Sequence, residues 1–288
     1  MKTAFAGLGV MGGPMARHLI SGGYPVTGYN RSPDKARAWA EANGGIFAPT
    51  VAEAAAGAEL FVLCVGNDDD VRQVVTEALP HLAKGAVIVD HTTTSARVAR
   101  EMADLAAGQG AFFIDAPVSG GQAGAENGQL SVMAGGDAAA LSRVDAALMS
   151  YSKAVKHMGP SGAGQLTKMA NQICIAGVVQ GLAEAVHFAR SADLDTDAVL
   201  DAISKGAAQS WQMDNRWKTM AKGEFEFGFA VDWMRKDLGL VLDEARANGS
   251  HLALTALVDQ FYSEVQAMGG ARWDTSSLAA RLQDRKRR

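Results

Sequence analysis

A short polar pattern inside a long apolar segment has the residue types needed for proton transfer to a small ligand. Lys168, Asn171 and Gln172 follow Gly164 at intervals of four, seven and eight residues, so in a helix they share one face. Such a face presents an ammonium group and two amides to a single molecule. The apolar surroundings predict a largely buried helix, and burial lowers the pKa of an amine toward the working pH of a general acid. An ordinary solvated lysine is the alternative interpretation.

A glycine-rich loop near the start of the chain has the spacing of a phosphate-binding turn. Its glycines follow an apolar segment, residues 1–6, and precede a helical stretch that runs to Ile20. In this arrangement the first glycine permits the turn, the second lets backbone amides approach a pyrophosphate, and the third lets the helix pack against the strand. The pattern predicts a dinucleotide at the N-terminus of the helix. The residues expected to hold it are Gly7, Leu8, Gly9, Val10, Met11 and Gly12.

The end of the second predicted strand indicates which dinucleotide binds. A site for NAD usually has Asp or Glu about 20 residues after the glycines, where it binds the ribose 2′-hydroxyl. Asn30, Arg31 and Ser32 occupy that region here, and they offer an amide, a guanidinium and a hydroxyl to a 2′-phosphate. The sequence therefore favours NADP. Binding of NAD without a carboxylate is the alternative.

Strand and helix patterns alternate through the first half of the chain. Apolar runs typical of strands recur at residues 25–29, 60–65, 86–90, 112–114, 130–134 and 154–158. This alternation predicts an α/β fold with a doubly wound, mostly parallel sheet, the Rossmann arrangement. Ligands of such sheets bind at the carboxyl ends of the strands. The loops expected there are 65–67, 91–93 and 115–121, and in the first of them Val65 and Gly66 are assigned to the cofactor.

The second half of the chain has the periodicity of helices. A long, mainly apolar helix is predicted at residues 164–190, with shorter helices near 195–205, 211–222, 231–248, 252–268 and 275–283. The predicted domains are a dinucleotide-binding domain, residues 1–161, and an all-helical domain, residues 162–288, joined by the long helix.

Composition excludes several classes of function. The 288 residues are 48% hydrophobic and carry a formal net charge of -4, which gives no support to binding of nucleic acid or of an anionic membrane. No apolar run is expected to reach the roughly 20 residues that span a bilayer, and the basic end, residues 285–288, is interpreted as a solvated tail. Only two cysteines, Cys64 and Cys174, are present, so no disulfide framework is expected and the cytoplasm is favoured. Both cysteines are interpreted as small buried residues. The six histidines have no metal-ligand spacing, so no metal is expected.

Five segments together resemble the β-hydroxyacid dehydrogenase family. They are Gly7–Met15, Asp115–Gly121, Gly128–Gly136, Gly164–Gln172 and Arg235–Asp237. The family includes 3-hydroxyisobutyrate dehydrogenase, tartronate semialdehyde reductase and the glyoxylate and succinic semialdehyde reductases. The resemblance implies a Rossmann domain, a helical domain, and a site for a nicotinamide cofactor and a short hydroxy or oxo acid.

The resemblance also implies roles for individual residues. Lys168 matches the catalytic lysine, which donates a proton to the carbonyl oxygen as hydride arrives, and Asn171 matches the asparagine that holds the substrate oxygen. Thr93 and Lys236 match residues that contact the cofactor; a helix cap and a surface lysine are the alternatives for these two. The residues that match the substrate-binding loop are Ser119, Gly120 and Gly121.

Two departures from the family pattern narrow the expected activity. Many members have two asparagines after the lysine, whereas this chain has Gln172 in the second place. Gln172 is therefore expected to bind substrate in a pocket of altered shape. Asn30 stands where 3-hydroxyisobutyrate dehydrogenases commonly have an acid, which favours an NADPH-dependent reductase of a semialdehyde or 2-oxo acid.

The expected function is an NAD(P)-dependent oxidoreductase that interconverts a short 3-hydroxy acid, or a similar hydroxy acid, and its semialdehyde or oxo acid. One alternative is an imine reductase, which usually carries Asp or Tyr in place of Lys168. Another is a catalytically silent dinucleotide-binding module. The expected partners are a small carboxylate-bearing aldehyde or hydroxy acid and further copies of the chain, in a homodimer or homotetramer.

Overall fold

The computed structural model describes residues 1–283, and the chain divides into two compact units. The first unit is Met1–Lys168, and the second begins at Met169. The basic tail interpreted as solvated lies outside the described residues.

Nine strands form one sheet in the first unit. They are β1 Thr3–Ala6, β2 Val26–Tyr29, β3 Ile46–Phe47, β4 Leu60–Leu63, β5 Val87–Asp90, β6 Phe112–Asp115, β7 Val118–Ser119, β8 Leu130–Gly135 and β9 Ser152–Gly159. Their order is β3-β2-β1-β4-β5-β6-β8-β7, and β9 pairs with β8. The pairs of β8 with β6 and β7 are antiparallel, and the other pairs are parallel. The chain runs from β1 to one side and then returns to the other side at β4, the reversal that creates a ligand crevice in doubly wound sheets.

Helices accompany the strands of this unit. They are α1 Gly12–Ser21, α2 Pro33–Asn43, α3 Val51–Ala55, α4 Asp68–Ala78, α5 Ala96–Gly108, α6 Gly121–Glu126 and α7 Ala138–Leu148. Strands β1, β4 and β5 are buried along their whole length, as expected for parallel strands covered on both faces. Phe5 belongs to one core cluster and Ala4 and Ala6 to another, because successive side chains of a strand point to opposite faces.

The carboxyl ends of the central parallel strands are level. The register pairs Ala6 of β1 with Tyr29 of β2 and with Leu63 of β4. Leu63 pairs in turn with Asp90 of β5, and Asp90 with Asp115 of β6. The loops that follow these strands therefore begin side by side along one edge of the sheet.

The second unit is helical. Helix α8, Ala163–Ser191, begins in the first unit and continues into the second. It is followed by α9 Thr196–Ile203, α10 Trp211–Lys222, α11 Val231–Asn248, α12 Ala253–Ala267 and α13 Leu278–Gln283, the last preceded by a 3₁₀ turn at Thr275–Ser277. The core of this unit contains Trp217, Leu238 and Tyr262, and α8 contributes Val179 and Val186 to it.

The predicted fold class is confirmed. A mostly parallel sheet with helices is followed by a helical part, and α10 and α11 have the bounds that the sequence predicts. The sequence pattern does not predict the short elements β3 and β7, which have two residues each, or α6, which has six. Elements of this length are too short to show a period.

Two expectations are wrong: that no apolar run reaches the length of a bilayer span, and that both cysteines are buried. The first concerns α8. It is the one described helix that is long and apolar enough, by length and composition, to cross a membrane. The core helix of a globular protein passes the same test, and Val179 and Val186 of α8 are core residues. Cys174 is exposed and Cys64 is half-buried, so the expected burial of both is also wrong. Cys174 lies between exposed Ala170 and Val178, four residues away on either side, on one outward-facing stripe of the helix.

Candidate active site

The glycine loop between β1 and α1 leaves no room for side chains at its two ends. A Cβ atom on Gly7, whose φ is +95°, would lie 2.1 Å from the carbonyl oxygen of Cys64. One on Gly12 would lie 1.9 Å from the carbonyl oxygen of Gly7. Close backbone approach therefore requires glycine at both positions. A Cβ on Gly9 would meet nothing within 4 Å, so the expected approach of a pyrophosphate at Gly9 has space.

The N-terminus of α1 suits an anion. No side chain of a described residue caps this helix at Met11, and the first N–H groups of a helix have no partner within the helix. Together with the helix dipole, these groups attract negative charge. Val10 is exposed beside them, and Leu8 is buried. The loop is thus able to hold a phosphate with backbone atoms alone.

Asn30, directly after β2, holds the glycine loop in place. Its Oδ1 accepts a hydrogen bond from the backbone N–H of Leu8 at 3.0 Å, and its Nδ2 donates to the carbonyl of Ser32 at 3.3 Å. The Arg31 side chain is 90% exposed and lies 3.7 Å from the Asp70 carboxylate. An ion pair this exposed is weak, so a phosphate is able to displace it. Ser32 is exposed at the start of α2, where its hydroxyl makes no cap hydrogen bond to a described residue.

A hydrogen bond joins the loop after β4 to the loop after β5, and a second one lies within the region after β4. The backbone N–H of Val65 donates to Oγ1 of Thr92 at 3.0 Å, and that of Gly66 donates to Oδ2 of Asp70 at 3.1 Å. Thr93 is half-buried, next to buried Thr92. The predicted cofactor residues Val65, Gly66 and Thr93 therefore lie in adjoining loops on the level edge of the sheet.

The start of α8 is anchored on Asp115, the last residue of β6. The Asp115 carboxylate accepts hydrogen bonds from the backbone N–H groups of Gly162 at 2.7 Å and Gln165 at 2.9 Å. Burial raises the pKa of this carboxyl group, and the hydrogen bonds oppose the rise. A Cβ on Gly164 would lie 2.5 Å from the Asp115 carbonyl oxygen. Gly164 therefore allows the close packing of α8 against β6.

Lys168 follows Gln165 by one helical turn. It is 9% exposed and is the last residue of the first unit. This burial argues against the alternative of an ordinary solvated lysine. Its function as a proton donor stays a prediction.

In the second unit, the predicted residues form a polar chain with Asp237. Nδ2 of Asn171 donates to Oε1 of Gln172 at 2.8 Å, and Nε2 of Gln172 donates to the Asp237 carboxylate at 2.7 Å. Nζ of Lys236 lies 3.1 Å from the same carboxylate. Gln172 is only 2% exposed. Its amide therefore orients Asn171, and its contact with a substrate stays a prediction.

The predicted substrate loop is a tight turn between β7 and α6. Ser119 pairs with Ser131 of β8. Gly120 and Gly121 have φ values of +128° and +60°, which favour glycine. Both glycines are exposed and Ser119 is half-buried. The backbone of this turn is thus accessible to a small ligand, as the prediction requires.

Sequence reasoning missed four buried polar residues as members of the site. They are Thr92, Asp115, Gln165 and Asp237. Each holds a predicted residue or the loop that carries it. The sequence did contain a signal for Asp115 and Asp237, because both lie in segments that carry the family resemblance. Gln165 also lies in such a segment, Gly164–Gln172, but its residue type and spacing do not indicate the long-range contacts that it makes.

His91, directly after β5, is buried and makes two hydrogen bonds. Nδ1 lies 2.5 Å from the carbonyl oxygen of Ala116, and Nε2 lies 2.7 Å from the hydroxyl of Tyr151. Because a carbonyl only accepts, Nδ1 carries the proton and Nε2 accepts from the tyrosine. Burial lowers the pKa of His91 to about 4, so the imidazole is neutral at pH 7. Among the described residues, no group of three or more His, Cys, Asp or Glu could hold a metal ion.

We expect acid to destabilise the protein through His91. The folded-state pKa of about 4 lies below the ordinary histidine pKa of 6.5, so the unfolded chain binds more protons between these pH values. The stability that neutral His91 contributes is present above pH 6.5 and is lost as the pH falls toward 4, by about 3 kcal/mol. Urea unfolding measured between pH 7 and pH 4.5 should show that His91→Gln loses less of its free energy of unfolding over this range than the wild type does. The control is His251→Gln, at an exposed position. The prediction is contradicted if the free energy of unfolding of His91→Gln depends on pH as steeply as that of the wild type.

Two family models together match nearly the whole chain. The NAD binding domain of 6-phosphogluconate dehydrogenase matches residues 2–159. The NAD-binding domain of NADP-dependent 3-hydroxyisobutyrate dehydrogenase matches residues 162–282.

Relatives and a solved structure agree with these matches. An uncharacterized oxidoreductase of Shewanella frigidimarina is 62% identical over 98% of both chains. A probable 3-hydroxyisobutyrate dehydrogenase-like protein of Arabidopsis thaliana is 40% identical over 98% of this chain and 85% of its own. The structure of Mycobacterium tuberculosis 3-hydroxyisobutyrate dehydrogenase with L-serine superposes with a TM-score of 0.90 at 31% identity, covering 98% of both chains.

Proposed function

This chain belongs to the β-hydroxyacid dehydrogenase family and is an NAD(P)-dependent oxidoreductase, and from that premise we propose that it reduces a short carboxylate-bearing aldehyde or oxo acid with NADPH. Lys168 donates the proton that the carbonyl oxygen needs, and Asn171 holds that oxygen. In the reverse direction Lys168 removes the proton from the hydroxyl group of the corresponding hydroxy acid.

The glycine loop supports the cofactor assignment. Side chains at Gly7 and Gly12 would collide with backbone atoms at 2.1 and 1.9 Å, whereas the space at Gly9 is open. This cradle fits a dinucleotide, with the loop 7–12 at the pyrophosphate and Val65, Gly66, Thr93 and Lys236 as its further contacts. When bound, a reduced nicotinamide supplies the hydride for the carbonyl carbon.

The observation that carries the proposal is the attachment of α8 to the loop after β5. Gln165, one turn before Lys168, is hydrogen-bonded to Thr92 and Thr94. The helical turn that precedes the predicted acid is thus joined to the predicted cofactor loop within the first unit, through the side chain of Gln165. A fixed separation of this kind is what a proton donor needs to act in step with hydride transfer.

The turn at Ser119–Gly121 suits the carboxylate of the substrate. Backbone N–H groups and a hydroxyl bind a carboxylate without a fixed positive charge. The exposed backbone of Gly120 and Gly121 supports this assignment. Gln172 is proposed to bind the substrate and also to orient Asn171, whose Nδ2 donates to its Oε1 at 2.8 Å.

The preference for NADP rests on the end of β2. Asn30 is neutral and already holds Leu8, and the Arg31 side chain is 90% exposed. We expect Arg31→Ala to weaken NADPH binding about tenfold, the loss of one charge-assisted contact, and to leave NADH binding nearly unchanged. Fluorescence titration with both cofactors measures this. Exposed Lys35→Ala is the matched control for charge, and an equal loss for both cofactors in Arg31→Ala would remove its phosphate-binding role.

The experiment that tests the proposed function is steady-state reduction of a small panel with NADPH and NADH in parallel. The panel contains succinic semialdehyde, glyoxylate, tartronate semialdehyde, methylmalonate semialdehyde and a cyclic imine. Turnover of a carboxylate-bearing aldehyde, with NADPH preferred, is the expected result. Turnover of the imine alone would point to an imine reductase, and tight cofactor binding without any turnover would point to a silent binding module.

We also propose that the chain forms a homodimer or a homotetramer. Apolar side chains of the second unit are exposed, among them Val178 and Phe188 on α8 and Leu254 and Leu257 on α12. Exposed apolar residues on one helical unit are typical of contacts between subunits. Light scattering after gel filtration measures the state, and a monomer at micromolar concentration would contradict this part of the proposal.

A further inference from the structure

We propose that Gln165 is a positioning residue that sets the backbone conformation at Thr93 and fixes the first turn of α8 against the loop after β5. This inference rests on the proposed function, in which Thr93 contacts the cofactor and Lys168 protonates the substrate. Gln165 would then determine how these two groups are placed relative to one another.

The side-chain amide of Gln165 makes two hydrogen bonds to one loop. Oε1 accepts from the backbone N–H of Thr94 at 3.0 Å, and Nε2 donates to the carbonyl oxygen of Thr92 at 2.7 Å. Gln165 is fully buried, at 0% exposure. The orientation of the amide follows from its partners, since an N–H only donates and a carbonyl only accepts.

These two hydrogen bonds hold the peptide groups on either side of Thr93. The carbonyl of Thr92 belongs to the peptide group before Thr93, and the N–H of Thr94 belongs to the peptide group after it. Each peptide group is planar, so the backbone between them has only φ and ψ of Thr93 as soft dihedrals. A single amide that holds both groups therefore restrains φ and ψ of Thr93, and with them the direction of its side chain.

The backbone of Gln165 is fixed as firmly as its side chain. Its N–H donates to the Asp115 carboxylate at 2.9 Å, and the same carboxylate accepts from Gly162 at 2.7 Å. Asp115 is the last residue of β6, in register with Asp90 of β5. The turn of α8 that precedes Lys168 is thus attached to the end of β6 and, through the Gln165 side chain, to the loop after β5.

Loss of the side-chain amide would release the loop without removing any group expected to touch a ligand. The carbonyl of Thr92 and the N–H of Thr94 would lose their buried partner and shift toward others. A displacement of about 1 Å at a reacting group can lower a rate 10²-fold. A residue with only a structural function would lower the melting temperature but leave turnover of the folded enzyme unchanged.

The test compares Gln165→Met with Gln180→Met in the full-length protein. Gln180 is buried on the same helix, in the second unit, where it donates to Glu184 at 2.6 Å. In Gln165→Met we expect kcat to fall about 10- to 100-fold and the aldehyde KM to stay within about threefold. The kinetic isotope effect on kcat, measured with deuterated NADPH, should be larger in Gln165→Met than in the wild type because hydride transfer becomes rate-limiting. Gln180→Met should keep the wild-type kcat, and an equal fall in kcat in both variants would overturn the proposal.

A second pair of measurements shows whether Gln165 acts through Lys168. In a Lys168→Ala background, Gln165→Met should lower kcat by a much smaller factor than it does in the wild type. The reason is that the lysine side chain positioned by Gln165 is then absent. Fully additive losses would overturn this part of the inference. If Gln165→Met does not fold, Gln165→Asn is the substitute, since it keeps the amide on a side chain one methylene shorter.

Failure of the proposed function is distinguishable from failure of this inference. If the wild type reduces no substrate of the panel, the proposed reaction is wrong. Measurements of amide exchange and of NADPH binding still test the positioning function of Gln165. Amide hydrogen exchange at Thr94 should then accelerate in Gln165→Met, and the NADPH dissociation constant should rise about 3- to 10-fold. Unchanged exchange at Thr94 together with unchanged NADPH binding would overturn the positioning function.

Discussion

Lys168→Ala should lower kcat by roughly 10²- to 10⁴-fold, the usual contribution of a positioned acid or base. The side chain is 9% exposed and lies one turn beyond the hydrogen bonds that anchor α8. Alanine removes the proton donor and leaves that anchorage intact. The NADPH dissociation constant should therefore stay within about twofold, since the loop 7–12 is unchanged.

Two further variants separate proton donation from a general effect of charge. Lys168→Arg keeps the positive charge but does not release a proton at neutral pH, so kcat should stay close to that of Lys168→Ala. Lys153→Ala removes an exposed lysine of β9 and should have wild-type kinetics. Recovery of most activity in Lys168→Arg would identify an electrostatic function, and near-wild-type turnover in Lys168→Ala would remove Lys168 from the mechanism.

Gly12→Ala should destabilise the first unit and abolish measurable dinucleotide binding. The new Cβ would lie 1.9 Å from the carbonyl oxygen of Gly7 and 2.9 Å from the ring of Phe5. Backbone and a buried strand residue have little freedom to move, so we expect a loss of about 3 kcal/mol or more in the free energy of unfolding. Displacement of α1 would also misplace the N–H groups that we propose bind the phosphates.

Gly9→Ala is the matched control in the same loop. A Cβ there meets nothing within 4 Å, so the melting temperature of the ligand-free protein should be nearly unchanged. NADPH binding should still weaken by about tenfold or more, because the methyl group occupies the space through which the pyrophosphate approaches. Unfolding and titration of both variants measure the two effects separately. Wild-type binding in Gly9→Ala would place the pyrophosphate elsewhere.

The long-range polar contacts explain why part of the site was not predictable. The spacing of Lys168, Asn171 and Gln172 predicts a shared helical face, and α8 does include all three. Spacing does not say what that face meets, and the structure shows Gln172 hydrogen-bonded to Asp237, 65 residues away. Asn30 was interpreted as a neutral residue that tolerates a phosphate, and its contact with Leu8 adds a function in holding the glycine loop.

Some errors have the same cause. Cys174 lies in a helix whose composition is apolar, which suggested burial, yet it falls on the exposed stripe with Ala170 and Val178. Helical periodicity identifies a stripe, and only packing decides which stripe is covered. The antiparallel pairing of β8 with β6 and β7 was likewise hidden, because a strand pattern does not carry the direction of its partner.

The sequence by itself determined the features that arise from neighbours along the chain. These are the alternation of strands and helices, the glycine turn before α1, the long helix that carries Lys168 and the family that these motifs identify. Local sterics and periodic burial are sufficient for such features. The tertiary structure alone decided that five strand ends are level, that Asp115 anchors α8 and that Gln165 encloses Thr93. These contacts join residues about 50 to 70 positions apart, and their geometry depends on packing of the whole unit rather than on any local pattern.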